Sequence, residues 1–281
     1  MENKRNYFRE LNTRVMNDSQ NLCFKINSLK SSIRKSIEKE RVIYGNEELL
    51  PETFGNAKRA KNEAMKIILS DERTFEAAEK YRGKKIACLD FANSHSVGGS
   101  PWTAGAQEES MCRISTLYQC IYAQKETFYE KHIRDFQAGS LDEIGNDDII
   151  YVPDVTVFKS DESEPLLMDE DDWYSTDVIV SAAPELWSGE CPSNYEEIMT
   201  LRIKRVLDAA DFAGVQVLIL GAFGCGAFCN PPEIVAKIFA SLIKNYGFET
   251  VEFAVYCRED RTNFEAFRRV FEKANLLSVG R

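Results

Sequence analysis

Two adjacent carboxylates, Glu108 and Glu109, end a glycine-rich stretch that runs Phe91-Ala-Asn-Ser-His-Ser-Val-Gly-Gly-Ser-Pro-Trp-Thr-Ala-Gly-Ala-Gln107. Acidic residues in a first helical turn commonly do no more than complement the positive end of the helix. Directly after a glycine-rich loop they can do chemistry. Side chains at i and i+1 diverge on a helix, so the two carboxylates can do different jobs. Asn93 offers a donor and an acceptor to a pair of hydroxyls, and Gly98 and Gly99 allow the backbone to approach a ligand closely.

A second segment, Leu218-Ile-Leu-Gly-Ala-Phe-Gly-Cys-Gly-Ala-Phe-Cys-Asn-Pro-Pro232, runs from an apolar strand through a glycine-rich turn into a helix. Such a turn points backbone N–H groups at a phosphate. Pro231 and Pro232 remove two donors from the first helical turn, so the donors must come mainly from Phe223–Cys229. Phe228 is placed to stack on a ribose or base, although a lone aromatic is more often core.

Several other chemistries are disfavoured. There is no Gly-x-x-x-x-Gly-Lys, and Gly224-x-Gly226 lacks the third glycine of the dinucleotide fingerprint. A thiolate at Cys225 or Cys229 would need a base, and neither His95 nor His132 is near in sequence. With two histidines and no Cys-x-x-Cys pair, neither a metal nor a cofactor is expected.

The elements that must position these segments alternate. Short apolar runs at Lys85–Ala92, Ile149–Val152, Val155–Phe158, Asp177–Ala182, Val215–Leu220 and Val251–Tyr256 read as strands buried on both faces. Helices lie between several of them. Ser193-x-x-Glu196 reads as a capping box, and Asn230-Pro-Pro-Glu233 as a helix start with Asn230 as its N-cap. The pattern predicts a three-layer α/β/α fold with a mixed central sheet. Ligands on such sheets bind beyond the carboxyl ends of the strands, where both glycine-rich segments lie. Leu22, Ile26, Leu29, Ile33 and Ile37 mark an amphipathic helix, and Ala57–Leu69 reads as a further helical stretch. This gives an N-terminal helical extension over 1–65 and a main domain over 66–281. The extension docks through its Ile/Leu face. A second reading gives its basic face, with Lys25, Lys30, Arg34, Lys35, Lys39 and Arg41, to a partner. The acidic stretch from Asp142 to Asp177 reads as largely solvated loop around its strands.

The chain has 281 residues, 44% hydrophobic and 28% charged, with 35 basic and 45 acidic residues and a net charge of −10. That length buries a core without disulfide or metal staples. The charge argues against bulk binding to nucleic acid or to an anionic membrane. No apolar run is long enough to span a bilayer, and the start lacks the apolar core of a signal peptide. Cysteines in apolar runs fit a reducing compartment, hence a cytoplasmic protein, or a nuclear one if the source is eukaryotic.

Together, Phe91-Ala-Asn93, Gly98-Gly99-Ser100, Gln107-Glu108-Glu109, Cys112-Arg-x-Ser-Thr-Leu-Tyr118, Ser70–Ala78 and Gly221–Pro231 resemble the microbial-type poly(ADP-ribose) glycohydrolases, a branch of the macrodomain superfamily. The likeness spans roughly residues 65 to 275. One departure stands out: Ser100 occupies the place of a third glycine. Its Cβ would crowd a ribose or the attacking water, and a positive φ there would strain it.

The resemblance implies a substrate in which ADP-ribose is O-glycosidically linked to another ribose, with release from chain ends. It implies Glu109 as the catalytic acid and then base, and Glu108 as holder of the ribose that is cut. Asn93, Gln107, Gly98, Gly99 and Ser100 would surround that ribose. The backbone of Phe223, Gly224, Cys225, Gly226, Ala227 and Phe228 would hold the diphosphate, with Phe228 packed on ribose. A helix N-terminus favours an ionised carboxyl, so Glu108 and the bound diphosphate would have to oppose it if Glu109 is to carry a proton. The alternatives are removal of single ADP-ribose groups from protein or nucleic acid, and a non-catalytic ADP-ribose reader. An acidic monomer recognising an anionic polymer implies neutral backbone donors around one terminal unit, with weak salt dependence.

Overall fold

The computed structural model describes residues 2–57, 65–142, 144–187, 189 and 191–278. Its centre is a mixed seven-stranded sheet in the order β1-β4-β5-β3-β6-β7-β2. The strands are β1 (Arg41–Ile43), β2 (Lys66–Ser70), β3 (Ile86–Phe91), β4 (Ile149–Val157), β5 (Tyr174–Ser181), β6 (Val217–Leu220) and β7 (Thr250–Ala254). β5, β3, β6, β7 and β2 run parallel, while β4 is antiparallel to both β5 and β1. The parallel strands are apolar on both faces because helices cover both.

The helices are α1 (Glu2–Lys25), α2 (Asn27–Lys39), α3 (Thr74–Glu79), α4 (Gln107–Ile114), α5 (Leu117–Tyr122), α6 (Glu130–Gln137), α7 (Tyr195–Phe212), α8 (Pro232–Leu242) and α9 (Thr262–Lys273). Strand periodicity sorts them into layers. Ala87 and Leu89 face Met199, Val206, Phe239 and Phe267 of the α7–α9 layer. Ile86 and Cys88 face Phe75, Met111, Cys112 and Leu117 of the α3–α5 layer. Asp90 shares the second phase and so points its carboxyl toward α4.

Several expectations are corrected. Residues 58–64 of the expected helix lie outside the described residues, and Lys66–Leu69 form part of β2, paired in parallel with β7. The two runs at 149–152 and 155–158 are one strand, β4, with a register shift between Val152 and Val155. The expected division at 65/66 falls between the two edge strands of a single sheet, β1 and β2. The Ser193 capping box does not form, because α7 starts at Tyr195 with Asn194 before it. Asn230 is not an N-cap either: Pro231 takes that place. Its amide instead donates to the carbonyls of Pro184 and Gly224 at 2.8 and 3.0 Å, while its Oδ1 accepts the Tyr195 hydroxyl at 2.9 Å.

Much of the acidic stretch is also engaged. Asp147 pairs with buried Arg202, Asp148 with His132, and half-buried Asp161 accepts the Phe75 N–H at the start of α3. Among the described residues, no helix is long and apolar enough to cross a membrane.

Candidate active site

The chain leaves β3 at Phe91, loops through Asn93–Ala106 and enters α4 at Gln107. The loop is fixed at both ends. The Asn93 Oδ1 accepts the N–H groups of His95 and Ser96, each at 2.8 Å, which closes a tight turn. Gly98 and Gly99 both take left-handed φ, +66° and +65°. At Gly99 a Cβ would overlap Glu109 Oε1 and lie 3.0 Å from Glu108 Oε2, so glycine is required for shape as well as for φ. Ser100 has no positive φ, and the expected strain is absent.

Buried Arg113 ties the rest of the loop to α4, donating to the carbonyls of Pro101 and Ala104 at 2.9 and 2.7 Å. Helix α1 supports the loop from outside. Asn12 donates to the Ala104 carbonyl, Thr13 to the Trp102 carbonyl, and the Trp102 indole donates to Asn17 Oδ1.

Three carboxyls converge beneath this loop. Asp90, Glu108 and Glu109 are 0%, 3% and 8% exposed. Glu108 Oε2 accepts the Asn93 N–H at 2.9 Å, and Glu109 Oε1 accepts the Ser100 N–H at 3.1 Å. The second oxygen of each glutamate, and both oxygens of Asp90, are buried with no hydrogen-bond partner among the described residues. Burial, and then the charge of Glu109, holds Asp90 well above the usual carboxylate range. Glu108 is also raised well above it, by burial first, then by Asp90, with a smaller contribution from Glu109. Asp90 and Glu108 therefore oppose each other's ionisation, because two neighbouring buried carboxyls cannot both carry a charge without cost. Unpaired buried carboxyls with raised titration, here Asp90 and Glu108, make this cluster the candidate site.

A cavity of about 340 Å³ is lined by Phe91, Gln107, Ala183, Gly224, Gly226, Ala227 and Phe228, among others; the chain neighbours Phe91 and Gln107 reach it, while Asp90, Glu108 and Glu109 do not line it. Its far end is walled by Arg73, whose guanidinium sits 4.3 Å from the Tyr256 ring centroid. The N–H groups of Gly224, Gly226, Ala227 and Phe228 have no acceptor among the described residues, so this loop presents a row of donors. Gly224 takes φ +72°, and a Cβ there would overlap Ala183 and Asn230; at Gly226 the added atom would meet only open space.

Two expected donors are not available. The Phe223 and Cys225 N–H groups are used inside the turn, donating to Gly221 and Ala222 carbonyls at 2.9 and 3.0 Å. The Phe223 ring is core, packed 5.9 Å from Phe91. The Cys225 thiol is pushed up to about 12 by burial, which makes it a poor nucleophile. The Gln107 amide also differs from expectation. Its Oε1 accepts the Phe91 N–H at 2.9 Å, and its Nε2 donates to the Leu89 carbonyl and Thr74 Oγ1 at 2.7 and 3.0 Å. Gln107 therefore clamps the start of α4 to the end of β3. Asp90, Arg113 and Arg73 were not assigned roles from sequence. An acid inside the apolar run Ile86-Ala-Cys-Leu-Asp90 was the available signal for the first.

A sequence model described as the catalytic domain of microbial-type PARG, poly(ADP-ribose) glycohydrolase, matches residues 17–160 of this chain. The chain belongs to the microbial-type PARG family. Solved PARG structures agree with that membership. The chain is 27% identical to the enzyme from Thermomonospora curvata, with a TM-score of 0.78 over 92% of this chain and 99% of that one. The same T. curvata protein bound to the inhibitor ADP-HPD gives a TM-score of 0.76 over 92% and 98%. PARG from Deinococcus radiodurans in complex with ADP-ribose is 28% identical, with a TM-score of 0.71 over 86% and 97%. No protein of curated function matches the chain. The mixed seven-stranded sheet with helices on both faces is thus this chain's version of a PARG fold.

Proposed function

We propose that this protein hydrolyses the ribose–ribose O-glycosidic bond of poly(ADP-ribose), releasing ADP-ribose from chain ends, with Glu109 as the acid and then the base. The observation that carries the reading is the placement of Glu109. One oxygen is fixed by the Ser100 N–H, and the other is buried and unpartnered, two residues along α4 from the cavity-lining Gln107. In the first step the protonated Glu109 gives its proton to the departing ribose oxygen as the anomeric C–O bond breaks. Positive charge then develops on the anomeric carbon. The resulting carboxylate takes a proton from water, whose oxygen bonds to that carbon, and Glu109 is protonated again. Glu108, with one free oxygen, accepts a hydroxyl of the ribose that is cut. Asp90, buried beside them, opposes ionisation of Glu108.

The row of N–H groups from Gly224 to Phe228 suits the diphosphate, and the Arg73–Tyr256 end of the cavity suits the adenosine. A pure reader would have no use for buried unpartnered carboxyl oxygens, which cost stability without contributing to binding. The eight free thiols suit a cytoplasmic setting.

Purified protein should be given poly(ADP-ribose) and, separately, a peptide carrying one ADP-ribose on serine. Release of ADP-ribose from polymer at a kcat/KM at least about tenfold above that on the peptide supports the reading. Preference for the peptide would make the protein a mono-ADP-ribosyl hydrolase instead.

A further inference from the structure

Trp187 is 67% exposed, although Pro184 and Leu186, just before it in its loop, are both held by hydrogen bonds. The loop leaves β5 through Ala183, a residue that lines the cavity. The Leu186 N–H donates to the Phe228 carbonyl at 3.0 Å, and the Asn230 amide donates to the Pro184 carbonyl at 2.8 Å. These bonds fasten the β5 loop to the donor-rich loop that follows β6. The Trp187 ring lies 6.4 Å from that of Phe228, tilted by 35°, so one face of an aromatic pair continues from the cavity wall onto open surface.

Strand order gives this pair a direction. Along the carboxyl edge of the sheet, β2 and β7 carry the Arg73–Tyr256 end, β6 carries the donor loop, and β3 carries the loop over Glu108 and Glu109. The next strand is β5. A ligand laid from β7 across β6 to β3 therefore has its scissile bond near β3, and whatever departs from that bond emerges toward β5.

We propose that Trp187 binds the leaving side of the substrate, stacking on the purine base of the second nucleotide unit. This rests on the reading of the site as one that cuts between ADP-ribose units. In that substrate the departing oxygen belongs to an adenosine ribose, so a base lies within one nucleoside of Glu109. An exposed indole is a sequence-tolerant platform for such a base. A substrate carrying a single ADP-ribose on an amino acid has no base to offer there, and Trp187 thereby favours polymer over single units.

The test compares wild type with Trp187→Ala and Trp187→Phe in three measurements: kcat/KM on poly(ADP-ribose), kcat/KM on the singly modified serine peptide, and calorimetric affinity for free ADP-ribose. For Trp187→Ala we expect a roughly 5–50-fold loss on polymer, as for removal of one base-stacking ring. Trp187→Phe should stay within about threefold of wild type, because a phenyl ring also stacks. Neither the peptide rate nor ADP-ribose affinity should change by more than about twofold, since those ligands end before the ring. An unchanged polymer rate in Trp187→Ala overturns the proposal. So does an equal loss of ADP-ribose affinity, which would put the ring on the first unit. No release of ADP-ribose by the wild type would instead sink the reading on which the proposal rests.

Discussion

The Ser100 backbone N–H donates to Glu109 Oε1 at 3.1 Å, so the residue that follows the Gly98–Gly99 pair orients the proposed catalytic carboxyl. Any residue with an N–H can make this bond, and Ser100 makes it without a left-handed φ. We therefore expect Ser100→Gly to retain kcat within about threefold, because the donor survives. Ser100→Pro lacks the donor, and its kcat should fall about 10- to 100-fold. Steady-state kinetics on poly(ADP-ribose), with thermal unfolding as a folding control, checks both. A folded Ser100→Pro with wild-type kcat would show that the bond has no catalytic role.

Asp90 is fully buried, and its charge contributes to the raised titration of Glu108. Asp90→Asn is nearly isosteric and removes that charge. Glu108 should then ionise at lower pH, which moves the acid limb of the kcat/KM profile to lower pH. Stability gives a second readout with a definite sign. A carboxyl raised in the folded state contributes stability at low pH that is lost as pH rises through its folded value. Asp90→Asn should therefore gain more in Tm over wild type at pH 8 than at pH 5. An unmoved profile would mean that Asp90 is merely buried.

Glu40 gives a cleaner case far from the site. Burial pushes its carboxyl from 4.5 up to about 7, partly offset by the bond it accepts from Gln124 at 3.0 Å. Its contribution to stability is complete below pH 4.5 and is lost as pH rises to about 7. The loss amounts to about 1–3 kcal/mol at 1.36 kcal/mol for each pKa unit. Urea unfolding of Glu40→Gln at pH 5 and pH 8 should show that much less pH dependence than wild type. Identical slopes against pH would contradict the assignment.

Helix α1 acts on the site through the loop. The Asn12 amide holds the Ala104 carbonyl at 2.9 Å, and Asn17 holds the Trp102 indole at 2.9 Å. The double variant Asn12→Ala/Asn17→Ala should cost about 1–2 kcal/mol in stability, as two part-exposed hydrogen bonds do. Its kcat should fall about tenfold, because a small displacement of a catalytic group is amplified in rate. A Tm loss with unchanged kcat, measured at a temperature where both proteins are folded, would limit α1 to a structural role.

The parallel strands and both glycine-rich segments were legible because buried strands and close-approach turns leave a direct mark on composition. What escaped was long-range. Lys66–Ser70 has no strong strand pattern of its own, and its pairing with β7 imposes one. The Gln107 and Asn230 side chains were assigned ligand and capping work, yet each is absorbed in tying distant segments together. No local periodicity announces that Leu89 and Thr74 meet at one amide. Phe223 and Cys225 lay in the correct loop, but which N–H groups face outward depends on turn hydrogen bonds set by the φ of Gly224. Asp90 was visible as an acid in an apolar strand, and only its phase on the sheet shows that it lies under the glutamates.

The most direct test is single-turnover release of ADP-ribose from poly(ADP-ribose) by wild type and Glu109→Gln, alongside calorimetric binding of ADP-ribose to both. The glutamine keeps an acceptor for the Ser100 N–H but cannot give and retake a proton. We expect release to slow by at least about 10³-fold, in the range of combined acid–base loss, with ADP-ribose affinity within about fivefold of wild type. Release from Glu109→Gln at a rate near that of wild type would contradict the central assignment.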